Sequence, residues 1–158
     1  MIYSNSYLNK MTDKYFAPGT RNANIFKTNS PYNNPYQGNA ARWLFVCSAG
    51  LLRSPTGATL AAHHGINARS CGSNFNYALI PCSANLINWA DKIVFVNPHN
   101  KDELELEFVA DQDLVDMMNR KAIVLDIPDN YDYMNPELVE IYNRELFDVY
   151  KPVTRSYS

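Results

Sequence analysis

Hydrophobic and polar positions divide the chain near residue 41. Up to residue 40 it is rich in Asn, Tyr, Ser and Pro, as in Asn29-Ser30-Pro31-Tyr32-Asn33-Asn34-Pro35-Tyr36, and follows neither a helical nor a strand period. Such a stretch has no apolar face to bury, so 1–40 is expected to be a flexible or surface-wrapping arm. From Arg42 onward, short apolar runs alternate with helical segments. Strands are expected over 43–46, 66–70, 92–96 and 122–125, and helices over 56–64, 83–89, 101–108 and 112–119. Gly65 would close the first helix, and Ser83 would cap the second. Asn135-Pro136-Glu137 opens a last helix with Leu138, Ile141, Tyr142 and Val149 on one face. Repeated β–α units of this kind predict an α/β fold, a three-layer sandwich around a central four-stranded parallel sheet. The expected organisation is an arm over 1–40, one α/β domain over 41–151 and a tail over 152–158.

Ligands of such folds gather at the carboxyl ends of the strands. There the first strand runs through Leu44-Phe45-Val46 into Cys47-Ser48-Ala49-Gly50-Leu51-Leu52-Arg53-Ser54, followed by Pro55-Thr56. An isolated Cys-x5-Arg arises often by chance, and a cysteine is frequently just a small core hydrophobe. A strand before it and Ser-Pro-Thr at a helix start after it make a strand, loop and helix in sequence, an arrangement expected to build an oxyanion cradle with a thiol at its centre. Amides of residues 48–53 converging on one point, with the positive end of the helix dipole, would both stabilise a thiolate and bind an oxyanion. Arg53 would add a planar fork that grips two phosphoryl oxygens. Ser54 would donate a hydrogen bond to the sulfur, Gly50 would let the loop curl through a positive φ, and Pro55 suits a first helical turn.

A cysteine that accepts a phosphoryl group also needs a proton donor for the leaving oxygen. The fourth strand empties into Asp126-Ile127-Pro128-Asp129-Asn130-Tyr131-Asp132-Tyr133, at the same sheet end. With the third strand expected between the first and fourth, the donor must reach across. Asp129, further beyond the strand, is therefore the first candidate and Asp126 the second. Tyr131 and Tyr133 would either flank an aromatic substrate or pack. His63 and His64 are expected to cap or pack at the end of the first helix, and His99 lies at the active sheet end.

Composition narrows the setting. Fourteen basic against sixteen acidic residues give a net charge of −2, so no broad basic surface for nucleic acid is expected. No run of apolar residues is long enough to span a membrane, and no secretory signal is recognisable, so neither membrane nor export is expected. Three cysteines, Cys47, Cys71 and Cys82, form neither a disulfide framework nor a zinc pattern. A reducing cytoplasm fits them, with Cys71 and Cys82 in or near the core.

Over about residues 42–150 the sequence resembles the low-molecular-weight protein tyrosine phosphatases, in their short bacterial and phage branch. The likeness rests on Leu44-Phe45-Val46-Cys47 with Arg53-Ser54-Pro55-Thr56, on Ser70-Cys71-Gly72-Ser73, on Trp89-Ala90-Asp91-Lys92-Ile93-Val94-Phe95-Val96 and on Leu125-Asp126-Ile127-Pro128-Asp129-Asn130-Tyr131. It implies a cysteine-dependent phosphatase with Cys47 as nucleophile, Arg53 as phosphate ligand, Ser54 as thiolate partner, Asp129 as general acid and a phosphocysteine intermediate. It implies neither cofactor nor metal. The substrate implied is a phosphotyrosyl protein or a small aryl phosphate. Three departures stand out: Gly50 where the family usually has Asn, Leu52 where many members have a second cysteine, and Asn130 where Asp-Pro is usual.

Two other readings share the loop. Arsenate would fit the same cradle, but a reductase needs further thiols, for which Cys71 and Cys82 are the candidates. A non-catalytic module that binds phosphate or a phosphopeptide would keep Cys47 and Arg53 without turnover.

Overall fold

The computed structural model describes residues 38–50 and 52–155; the arm expected over 1–40 lies almost wholly outside the described residues, as does Leu51. Four strands, β1 (Arg42–Cys47), β2 (Asn67–Gly72), β3 (Lys92–Phe95) and β4 (Ala122–Val124), form one sheet in the order β2-β1-β3-β4. Every pairing is parallel. The helices are α1 (Arg53–His63), α2 (Ala84–Trp89), α3 (Pro98–Glu107), α4 (Gln112–Lys121) and α5 (Pro136–Tyr142), followed by a π-helical turn at Asn143–Phe147.

The alternation of β1 builds the layers, because successive side chains of a strand point to opposite faces. Trp43, Phe45 and Cys47 join Ala58 and Ala61 of α1, Leu138 and Tyr142 of α5, and Leu146 and Phe147 of the π-turn in one buried cluster. Leu44 and Val46 join Ile87 of α2, Leu104 of α3, and Leu114 and Met118 of α4 in the other. The sheet is thus covered on both faces, the expected three-layer sandwich, and the central strand delivers Cys47 to the α1 side.

Helix α1 lies unusually close to the sheet. A Cβ built on Gly57 would stand 2.4 Å from the Phe45 ring and 2.9 Å from that of Tyr142, so only glycine fits at that crossing. The helix ends in a Schellman motif. Gly65 takes φ +76°, its N–H bonds the Ala62 carbonyl at 3.0 Å, and the Ile66 N–H bonds the Ala61 carbonyl at 3.1 Å.

Element ends differ from the sequence expectation in ways that bear on the site. Helix α1 begins at Arg53 rather than 56, which puts Arg53 and Ser54 in its first turn. Helix α3 begins at Pro98 rather than 101, because the Asn97 side chain accepts the His99 N–H at 3.0 Å and Pro98 stands where no N–H is needed. β2 is shifted to Asn67–Gly72 and β4 stops at Val124. Val149, expected on the buried face of the last helix, is 62 % exposed. The helical segment closes with the π-turn at Phe147, so Val149 lies beyond it, and Leu146 and Phe147 are the last residues it buries.

Candidate active site

The strand-to-helix connection after β1 closes around the Cys47 sulfur. Sγ accepts the Gly50 N–H at 3.1 Å and lies 3.0 Å from Ser54 Oγ. Gly50 reaches the first contact through φ +75°, and a Cβ there would sit 3.0 Å from the Cys71 carbonyl carbon. Ser54 reaches the second from the first turn of α1, where its side chain is fully buried. Cys47 itself is only 3 % exposed.

Arg53 is buried at the mouth of α1. Its Nη1 donates to the Ile127 carbonyl at 2.9 Å, and its Nε lies 3.4 Å from Asp129 Oδ1. The loop after β4 reaches that point because its backbone continues along β3: the Leu125 N–H bonds the Phe95 carbonyl and the Ile127 N–H bonds the Val96 carbonyl, each at 2.8 Å. Two further links hold it to α1, Tyr133 Oη to Thr59 Oγ1 at 2.7 Å and the Met134 N–H to Thr56 Oγ1 at 2.9 Å. Met134 pays a conformational cost there, with φ +57°. Below the arginine, the Tyr142 hydroxyl donates to the Arg53 carbonyl at 2.5 Å. Burial and the charge of Cys47 push that phenol well above its ordinary range, with Arg53 acting in the opposite direction.

The opposite wall is the segment after β2. The N–H groups of Ser73, Asn74 and Leu79 bond the carbonyls of Cys47, Ser48 and Ala49 at 2.8, 3.0 and 3.4 Å. These bonds tie the loop carbonyls to the segment after β2, while the Gly50 amide turns to the sulfur. The same segment exposes Phe75, Tyr77 and Ile80.

The structure therefore brings Cys47, Gly50, Arg53, Ser54 and Asp129 together. Asp129 is 77 % exposed and touches Arg53, whereas Asp126 accepts from Asn97 Nδ2 at 3.1 Å. Ser48 and Ala49 sit in the loop wall, Leu52 is exposed at the position before α1 with no side-chain cap bond, and Leu51 is not among the described residues. Cys71 and Cys82 are buried in the core layer on the other face of the sheet. Burial, then a hydrogen bond with Cys82, raises the Cys71 thiol well above its usual range. His64 stacks on Phe147 with ring centroids 4.5 Å apart, and exposed His99 lies 3.6 Å from Glu103. Among the described residues no cluster of His, Cys, Asp or Glu could hold a metal ion, and no helix is long and apolar enough to cross a membrane.

Sequence reasoning passed over Asn100, Ser73 and Glu103. Asn100 of α3 is buried, and its Nδ2 donates to Ser48 Oγ at 3.0 Å and to Ser73 Oγ at 3.2 Å. Ser73 Oγ in turn donates to Glu103 Oε1 at 2.8 Å. The one available signal was an Asn, rather than an apolar residue, at an inward position just after the Asn97-Pro98 helix start.

No protein-family model matches the sequence, and no curated protein sequence does. Solved structures do. The tyrosine phosphatase Wzb from Escherichia coli K30, in complex with phosphate, is similar over 70 % of this chain and 99 % of its own, at 14 % identity and TM-score 0.53. The YwlE arginine phosphatase from Geobacillus stearothermophilus is similar over 66 % and 89 %, at 18 % identity and TM-score 0.50. The chain has the fold of the low-molecular-weight protein tyrosine phosphatases, with Cys47 at the end of the first strand of that fold.

Proposed function

We propose that this chain is a cysteine-dependent phosphatase that hydrolyses phosphomonoesters, phosphotyrosine on proteins foremost, through a phosphocysteine. The observation that carries the reading is the set of contacts on one sulfur. Cys47 Sγ has a backbone N–H and a seryl hydroxyl within hydrogen-bond distance, and the arginine that precedes that serine is buried. Donors so placed stabilise a thiolate and then release it as a leaving group.

In the first step the Cys47 thiolate attacks phosphorus in line, the S–P bond forms and the P–O bond to the leaving group breaks. Asp129, protonated, gives its proton to that departing oxygen. Arg53 and the loop amides carry the charge on the equatorial oxygens. In the second step Asp129, now a carboxylate, takes a proton from water as the water oxygen attacks phosphorus; the S–P bond breaks, returning the thiolate and inorganic phosphate. Asp129 is preferred over Asp126 because it is the carboxylate that meets Arg53, while Asp126 is engaged by Asn97.

One relative of this fold is a tyrosine phosphatase and the other an arginine phosphatase, so the fold alone does not choose the substrate. The exposed Phe75 and Tyr77, on the segment that bonds the loop, support an aryl leaving group that stacks on entry. Three buried thiols fit a reducing compartment such as the cytoplasm. The test is turnover of a chromogenic aryl phosphate and of phosphotyrosyl and phosphoarginyl peptides by the wild-type chain, with chelator and reductant present. Turnover of the aryl and tyrosyl esters is expected. Phosphate or vanadate binding without turnover would instead favour the non-catalytic module, and preference for phosphoarginine would move the substrate class.

A further inference from the structure

We propose that Asn100, on a helix that contributes no residue to the phosphate loop, is a positioning residue that locks the oxyanion-binding shape of that loop through Ser48. The proposal rests on the phosphatase reading above. It begins with a chain of hydrogen bonds whose direction is fixed at one end. Both acceptors near Ser73 Oγ, Glu103 Oε1 at 2.8 Å and the Cys47 carbonyl at 3.4 Å, can only accept, and the nearer carboxylate takes the hydroxyl proton. Ser73 Oγ must then accept from Asn100, which turns the NH2 of Asn100 toward both serines, and Ser48 Oγ accepts the second N–H. Asn100 is 1 % exposed, and its remaining polar atom, Oδ1, is buried with no hydrogen-bond partner.

An unpaired buried carbonyl oxygen opposes folding. A small apolar side chain at position 100 would avoid that cost. What the asparagine supplies in return is two donors, one aimed at the Ser48 hydroxyl of the loop and one at the Ser73 hydroxyl of the wall that bonds it. Ser48 is thereby gripped from two sides, its carbonyl by the Asn74 N–H at 3.0 Å and its hydroxyl by Asn100 at 3.0 Å. Gly50, in the middle of the loop, has no side chain with which to brace its neighbours, so the restraint comes from α3. Ser48 directly follows the nucleophile, and holding it holds the direction in which the next amides point.

The test compares wild type with Asn100→Ala, the isosteric Asn100→Asp, Ser48→Ala and the double variant of Ser48→Ala with Asn100→Ala, reading kcat and KM on an aryl phosphate, the affinity for inorganic phosphate by calorimetry, and Tm. Asn100→Ala should lower kcat and phosphate affinity by about tenfold, the scale of one hydrogen bond to a charge-binding site, while Tm changes little because the unpaired carbonyl goes with it. Asn100→Asp should fail to rescue, since it offers acceptors where donors are required. In the Ser48→Ala background Asn100→Ala should add little, the non-additivity expected of residues acting through one contact. Full activity in Asn100→Ala, rescue by Asn100→Asp, additive losses with Ser48→Ala, or losses that merely track Tm would each overturn the proposal. If wild type binds phosphate without turning over an ester, the phosphatase reading fails while the same cycle on phosphate affinity still decides the role of Asn100. Wild type that does neither overturns both.

Discussion

Arg53 Nη1 donates to the carbonyl of Ile127 across 2.9 Å, so the arginine that opens α1 also fastens the loop carrying Asp129. In the proposed mechanism one residue would thereby set both the phosphate site and the distance to the acid. Arg53→Lys keeps the charge and loses the fork. It should lower kcat/KM by about a hundredfold to a thousandfold, the cost of removing one oxyanion donor, with phosphate affinity falling in parallel. Steady-state kinetics with a phosphate titration checks it; near-wild-type kinetics would show that Arg53 serves only the Ile127 contact.

Ser54 Oγ lies 3.0 Å from the sulfur in a fully buried position. Ser54→Ala should reduce kcat about tenfold to a hundredfold, as expected for a hydrogen bond to a charged group, with KM nearly unchanged. A burst of aryl alcohol before steady turnover would show whether thiolate departure has become the slow step.

The Ser54 contact on the Cys47 sulfur was largely legible in the sequence, and the reason is locality, whereas the Arg53–Ile127 bond was not. Cys47, Gly50, Arg53 and Ser54 fall within one strand, one loop and one helical turn, so spacing alone nearly dictates their meeting. Asp129 required the strand order as well, which the β–α alternation supplied. Asn100 could not be read this way, since its partners Ser48 and Ser73 come from other elements and only the register of α3 turns it inward. The π-turn at Asn143–Phe147 was equally hidden: Leu146 and Phe147 are buried in the cluster on that face of the sheet, and no local residue announces the turn. The direct contact between Gly57 and Phe45 likewise appears only in three dimensions.

That contact gives a stability prediction independent of chemistry. Gly57→Ala would drive a methyl to 2.4 Å from the Phe45 ring, where β1 and α1 are both buried. Overpacking of this kind should destabilise the chain by about 1–3 kcal/mol, although alanine is the better helix former. A urea melt measures it, and an unchanged midpoint would show that α1 can shift outward freely.

Stability should also fall at alkaline pH. Tyr142 and Cys71 are raised chiefly by burial, from reference values of 10.0 and 9.0. In the folded chain they keep protons that the unfolded chain releases above those values. Their contribution is therefore complete below about pH 9 and is lost as pH climbs toward their folded values. Tyr142→Phe should weaken that alkaline loss above pH 10 and, by removing the hydroxyl from the Arg53 carbonyl, cost about 0.5–1.5 kcal/mol at neutral pH. Denaturant unfolding between pH 7 and 11 reads both effects; the same alkaline slope in wild type and variant would show that Tyr142 does not carry it.

The central claim is that a phosphoryl group passes through the Cys47 sulfur. Rapid acid quench of the Asp129→Ala variant during turnover of an aryl phosphate with a good leaving group, followed by peptide mass mapping, tests it most directly. With the base for the second step removed, one phosphoryl group should accumulate on the Cys47 peptide and be absent in Cys47→Ser, which should also be inactive. Turnover by Cys47→Ser, or wild-type turnover with no phosphoryl group ever captured on Cys47, would contradict the account.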